Sequence, residues 1–302
     1  NYLDNEFMEL SKILPSSYDN VNIGRPTSGA CLALRARMLM FAASPLFNGN
    51  EDFKDVVNKD GTPLFSQSKD NKKWEKAAVA AKLVIDLPEY DLYKEYLEDG
   101  SIDALMSCTN LYLTTTEQNP EIIMAFPGKT SSLYEYHLMP RKSGFAGCIS
   151  ATQNIVDAFF MKNGLSIDEL GSGYVEEGFS TEDTYYPTKY TYGSADKKEG
   201  LVTPKGQDGK PSHDSPIAGY QINKAIHPAT RSGSYPYKPG IIVRLGEMYL
   251  NYAEALNEYN PGHTDITKYV NLIRERAGLP ALKSGLSQSE MREAIHHERT
   301  VE

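Results

Sequence analysis

The stretch VRLGEMYLNYAEALNEYN, residues 243 to 260, decides the architecture of this chain. Leu245, Met248, Ala253 and Leu256 recur at helical spacing, so one face of a helix is apolar. The same stretch also carries Tyr249, Tyr252 and Tyr259, rings that combine a large apolar body with a polar tip. Asn260-Pro261-Gly262 then forms a strong turn signal. Beyond it, TDITKYVNLIRERAGLP starts with Thr264 or Asp265 as N-cap and repeats Ile266, Val270, Ile273 and Ala277. Gly278 and Pro280 end that helix. Two helices joined by a short turn, with small residues between them, follow the logic of a tetratricopeptide unit. Leu245, Gly246 and Tyr249 match the spacing of that repeat's first helix, whereas its later alanine falls on Glu258. No clean 34-residue period is present, so the match is degenerate.

Working outward, further helices emerge. RPTSGACLALRARMLMFAASP, from Arg25, is apolar almost all round and predicts a helix buried on most sides, stopped at Ser44-Pro45. KWEKAAVAAKLVID aligns Trp74, Ala77, Ala78, Ala81 and Ile85 on one face, with Pro88 as breaker. SATQNIVDAFFMKNG, from Ser150, predicts a helix with Ile155, Phe159 and Phe160 on a face and Gly164 as C-cap. A last helix begins near Ser287, with Ser289 capping toward Arg292 and Glu293. The opening NYLDNEFMELSKILP is helical in pattern too, and with no C-cap at the close the chain reads as an internal piece of a longer protein.

The 302 residues are 40% hydrophobic and 24% charged, a globular profile with a sizeable core. A net charge of -9 and no basic run argue against a nucleic-acid footprint or attraction to an anionic membrane. No apolar run reaches the ~18 residues of a membrane helix, since Arg35 and Arg37 interrupt the best candidate. Cys31, Cys108 and Cys148 are too far apart for a metal or redox motif.

Residues 171–240 differ in texture, with ten glycines, seven prolines and eight of the chain's 20 tyrosines. A loop region this long is functional or disordered, and its aromatic content argues against disorder.

Five blocks, in order, resemble the SusD/RagB family: GRPTSGACLALRARMLMFAASPLFN (24–48), QNIVDAFFMKNG (153–164), VRLGEMYLNYAEALNE (243–258), VNLIRERAGLP (270–280) and IHHERTVE (295–302). Phe41, where that family often has tyrosine, and Gly246, where alanine is usual, depart from the pattern without disturbing it. The resemblance implies a mainly α fold of tetratricopeptide-like helix pairs with a long loop-rich insertion. It implies one SusD-like domain over 1–302, incomplete at both ends. The helical scaffold would occupy 1–97, 150–165 and 241–302, and the loop-rich ligand-binding part 98–149 and 166–240. It implies no catalysis and no cofactor. The expected role is that of an outer-membrane, cell-surface lipoprotein whose lipid anchor lies outside this chain. Such a protein captures an oligosaccharide or polysaccharide, starch-like or other, and sits as a lid on a SusC-like TonB-dependent transporter. Within it, the 243–260 helix is frame.

Sugar capture needs flat aromatic surface for C–H faces and directional polar groups for hydroxyls. STEDTYYPTKYTYGS (180–194) supplies Tyr185, Tyr186, Tyr190 and Tyr192 among Glu182, Asp183 and Lys189, and Tyr174 lies just upstream. The competing expectation is that these rings only pin the loop to the helices. Trp74, heading an alanine-rich helix, is expected in the core. SSLYEYHLMPRK (131–142) offers Tyr134, Tyr136, His137 and Arg141 in a loop as a second choice. His296, His297 and Glu298 diverge by about 100° each on a helix, so they do not converge on a metal. GSGYVEEG lacks the flanking strand and helix of a dinucleotide site, and NKDGTP (58–63) lacks the remaining ligands of a calcium loop. Carboxylates are plentiful, but no spacing marks a glycosidase pair and no GxSxG occurs. A same-fold binder of peptides or another nutrient remains open. So does a helical-repeat scaffold for proteins, against which the tyrosine-rich insertion speaks.

Overall fold

The structure, a computed structural model, describes residues 2–19, 22, 24–126, 132–139, 145–146, 149–174, 222 and 224–302. The helices are α1 (Tyr2–Ile13), α2 (Ser28–Ala43), α3 (Lys72–Ile85), α4 (Ala104–Asn110), α5 (Ser132–Leu138), α6 (Gln153–Asp157), α7 (Leu245–Tyr259), α8 (Thr264–Arg276) and α9 (Gln288–Val301). Strands β1 (Ile122–Phe126) and β2 (Gly240–Arg244) form one antiparallel pair. The fold is mainly α, and no helix among the described residues is long and apolar enough to cross a membrane.

The helices pack in a chain of neighbours: α1 on α2, α2 on α3, α3 on α7, and α7 on both α8 and α9. Small side chains allow this. Ala33 and Ala36 of α2, Ala77 and Ala81 of α3, and Ala253 and Ala255 of α7 are all at most 2% exposed. Backbones therefore approach closely, and larger residues such as Trp74, Met248 and Ile273 fill the seams. Trp74 is 3% exposed, a core residue as expected.

The two arginines that break the apolar run of α2 are cross-helix struts. Arg35 Nε donates to buried Asp4 of α1 at 2.6 Å, and Lys76 of α3 reaches the same carboxylate. Arg37 grips Glu247 of α7 at 2.7 and 2.5 Å and the Ile242 carbonyl at 2.7 Å. In α7, Tyr249 and Tyr252 meet Tyr269 edge-on at 4.8 and 5.3 Å, and the Tyr252 hydroxyl bonds Asp265 at 3.1 Å. The helix is frame. Glu258, where the repeat consensus has alanine, forms a two-pronged pair with Arg292 of α9 at 2.5 and 2.8 Å.

Two expectations need correction. The helix predicted from Ser150 runs only over Gln153–Asp157. Tertiary contacts override its propensity: Phe160 stacks on His297 with ring centroids 4.0 Å apart and lies under the Arg274 guanidinium. Gly164, at φ +80°, closes a turn instead of capping a helix, and a Cβ there would meet Pro280 Cγ at 2.6 Å. At α9 the N-cap is Ser287, not Ser289. Its side chain accepts from the Glu290 N–H and Glu290 answers on the Ser287 N–H, a complete capping box.

β1 and β2 face each other at the base of the long excursion, with Ile122 opposite Arg244 and Phe126 opposite Gly240. Parts of that excursion are helical, namely α5 and α6. Glu135 of α5 is buried, accepts from Thr230 Oγ1 at 2.9 Å and pairs with Lys238 at 2.5 Å.

Candidate functional site

The sequence-derived candidates fall in different places. Tyr185, Tyr186, Tyr190 and Tyr192 lie outside the described residues. Tyr174 is half-buried, packs against the Val156–Met161 cluster, and its N–H donates to Ser172 Oγ at 3.3 Å. The second-choice segment is the helix α5 over 132–138 and not a loop, with the Tyr136 ring against Phe145 and edge-on to His137; Arg141 lies outside the described residues. His296, His297 and Glu298 point to three separate partners: Glu254, the Ala158 carbonyl and Arg274. Asp60 is occupied as a turn acceptor for the Thr62 N–H at 3.0 Å.

One concavity among the described residues is a cleft of about 500 Å³. Three chain segments meet there: the α1–α2 connection, Glu89-Tyr90 after α3, and residues 116–125 leading into β1. The two ends of the connection are tied together, since the Ser28 N–H donates to the Pro15 carbonyl at 2.9 Å, while Thr27 caps α2 through the Ala30 N–H. Tyr90 is seated by an absent side chain. A Cβ on Gly29 would come within 2.3 Å of the Tyr90 hydroxyl oxygen. That hydroxyl is hydrogen-bonded with Thr27, and burial pushes its pKa up. Tyr18 supplies a second ring, and Ile122 and Met124 an apolar wall.

Polar groups ring the cleft, and several are uncommitted. Among the described residues, Arg25, Glu89, Glu117 and Gln118 find no side-chain hydrogen-bond or ion-pair partner. Thr116 Oγ1 is shut off from solvent with no partner. Asn119, by contrast, is fully engaged. Its Nδ2 donates to the Leu111 carbonyl at 2.8 Å and its Oδ1 accepts from the Glu121 N–H at 3.0 Å.

Glu121 ties this wall to the scaffold. Its carboxylate accepts from Arg244 Nη1 and Arg276 Nη1, both at 2.7 Å, and from the Tyr93 N–H at 2.9 Å. The same two arginines hold Glu302, so two cations and two carboxylates balance inside the protein. Burial acts to raise the Glu302 pKa, yet Arg244, Arg276 and Lys224 hold it at about 2. Gly246 belongs to this arrangement. A Cβ there would meet Arg244 Nη1 at 2.4 Å and Glu121 Oε1 at 2.8 Å, which gives a physical reason for glycine at that position.

Apart from Gly246, read from the sequence as a position in the helix and not for its charged surroundings, none of the cleft or ion-cluster residues was singled out from the sequence. They come from segments up to 181 residues apart, 121 to 302, and no local period joins them. The available signal was the glycine at 29 inside an apolar helix, since such a glycine implies close approach by another group.

Helix pairs stacked side by side around a shared core define a helical-repeat architecture. The SusD family model matches residues 120–302, and the chain belongs to that family. It is 39% identical over 79 residues to SusD-like protein P2 of Formosa agariphila, covering 24% of this chain and 15% of that one. Its fold superposes on BT4246 with a TM-score of 0.81 at 23% identity, over 99% of this chain and 62% of that one. A SusD-like carbohydrate binding protein of Bacteroides fragilis, BF0978, superposes at 0.69 with 19% identity, over 99% of this chain and 54% of that one. The chain thus spans less than two thirds of these relatives.

Proposed function

We propose that this chain is the nutrient-capturing part of a cell-surface, outer-membrane lipoprotein that binds a glycan without cleaving it. The glycan, an oligosaccharide or polysaccharide, passes to a SusC-like TonB-dependent transporter. The observation that carries this reading is the family match over 120–302, together with a fold shared with a SusD-like carbohydrate binding protein. Tyr185, Tyr186, Tyr190 and Tyr192 are the proposed stacking rings, with Tyr174 beside them in sequence. Loops carried on rigid scaffolds commonly hold binding function. The same proposal assigns ligand binding to 98–149 and 166–240 and support to 1–97, 150–165 and 241–302.

Affinity electrophoresis tests it, with the protein run through gels containing amylopectin, xylan, laminarin or mucin. Retardation in at least one gel, without release of reducing ends, is expected. A stacked ring contributes about 1 kcal/mol beyond its area. Replacing Tyr185 and Tyr186 together by alanine should therefore weaken binding roughly tenfold. Free migration through every gel would sink the glycan reading.

A further inference from the structure

We propose that the cleft formed by the α1–α2 connection, Tyr90 and the 116–125 wall is itself a saccharide subsite for a neutral, hydroxyl-rich ring. It uses residues other than the tyrosine-rich segment. This inference rests on the glycan-binding reading above.

The charge pattern selects the ligand class. Arg25 faces a cleft that also holds Glu89 and Glu117, so an anionic ligand meets two unpaired carboxylates. An apolar ligand would bury Arg25, both carboxylates and Gln118 without partners. A neutral sugar satisfies both signs at once. Its hydroxyls donate to the carboxylates and accept from Arg25 and Gln118, while its C–H face rests against Tyr18 or Tyr90. The volume of about 500 Å³ lies inside the range of about 300–1,000 Å³ usual for small-molecule sites.

One further observation points to a built site. The walls are held before any ligand arrives. Gly29 leaves the space Tyr90 occupies, and Asn119 and Glu121 fasten the opposite wall to the buried arginines. A site fixed in advance loses less freedom on binding.

The test uses the whole chain and the same four polysaccharide gels. Ser17 is exposed on the cleft rim, so Ser17→Trp fills the cleft from outside with little strain on the core. Thr116→Val keeps the shape and removes only a hydroxyl closed to solvent, so it serves as the control. In the gel that retards wild type, Ser17→Trp should bind about tenfold more weakly, and Thr116→Val as tightly as wild type. The melting temperature of Thr116→Val should be equal or higher, because an unpartnered hydroxyl is gone. Wild-type retardation by Ser17→Trp overturns the subsite and leaves the glycan reading standing. Wild type that no gel retards overturns both. Should Ser17→Trp fail to fold, the Arg25→Ala/Glu117→Gln double variant replaces it, both positions being exposed. Undiminished binding by that variant overturns the subsite.

Discussion

The α2–α3–α7 stack and the excursion between β1 and β2 are held together by opposite means. The stack relies on many alanine contacts, none of which is individually large: Ala33, Ala81, Ala253 and Ala255 are each 0% exposed. The described parts of the excursion rely on a few strong single contacts, such as Glu135 with Lys238 and Phe160 with Arg274. The first arrangement spreads stability evenly and resists expansion at any point. The second concentrates it, so one substitution releases a segment. Between them lies the Glu121–Arg244–Arg276–Glu302 cluster, which belongs to both.

The largest effect is expected where the two regions meet. Arg276→Met leaves Glu121 and Glu302 buried with half their positive charge. Breaking such a cluster costs about 3–5 kcal/mol. Urea unfolding should show a lower midpoint with unchanged slope, and a wild-type midpoint would mean that the cluster contributes nothing. Lys238→Met is expected to carry a similar cost, but locally. Hydrogen exchange should speed up at 132–138 and 224–238 while α7 and α8 keep their protection. Equal loss in both regions would contradict the contrast drawn here. Ala81→Leu probes the stack by overfilling it, at about 1–3 kcal/mol; a stability equal to wild type would show slack between α3 and its neighbours.

The smallest effect is a pH dependence. Burial pushes the Glu298 carboxyl up to about 7, against the opposing pull of Arg274. A carboxyl raised in the folded state stabilises fully below its ordinary value of 4.5 and loses that contribution as pH rises through about 7. The melting temperature should therefore fall by a few degrees between pH 5 and 8. Glu298→Gln should flatten that slope, and Glu302, held near 2, does not titrate in this window. A slope that survives Glu298→Gln would assign it to other groups.

The same contrast explains what the sequence disclosed. Scaffold helices announce themselves because burial on one face imposes a 3.6-residue period, visible from Leu245 to Leu256 and from Ile266 to Ile273. Trp74 was legible as core for the same reason. The segment from Ser150 carried the same kind of period and was expected to be a longer helix, but Phe160 and Gly164 answer to His297, Arg274 and Pro280, which no local pattern displays. The cleft was illegible because Arg25, Tyr90 and Thr116 are brought together only by packing. The role of Gly246 depends on charges arriving from Glu121 and Glu302.

The pairing of Phe126 with Gly240 has a consequence for chain length. The chain leaves the helical frame and re-enters it at one point, across a single pair of neighbouring strands. Closing a longer loop between fixed ends costs only slowly more entropy. A gap of that kind asks the same of the frame whether ten residues or a hundred hang from it. Changes of length between 126 and 240 that spare the Phe160 and Gly164 contacts therefore ask nothing new of the packing of α3 on α7. One frame can carry excursions of many lengths.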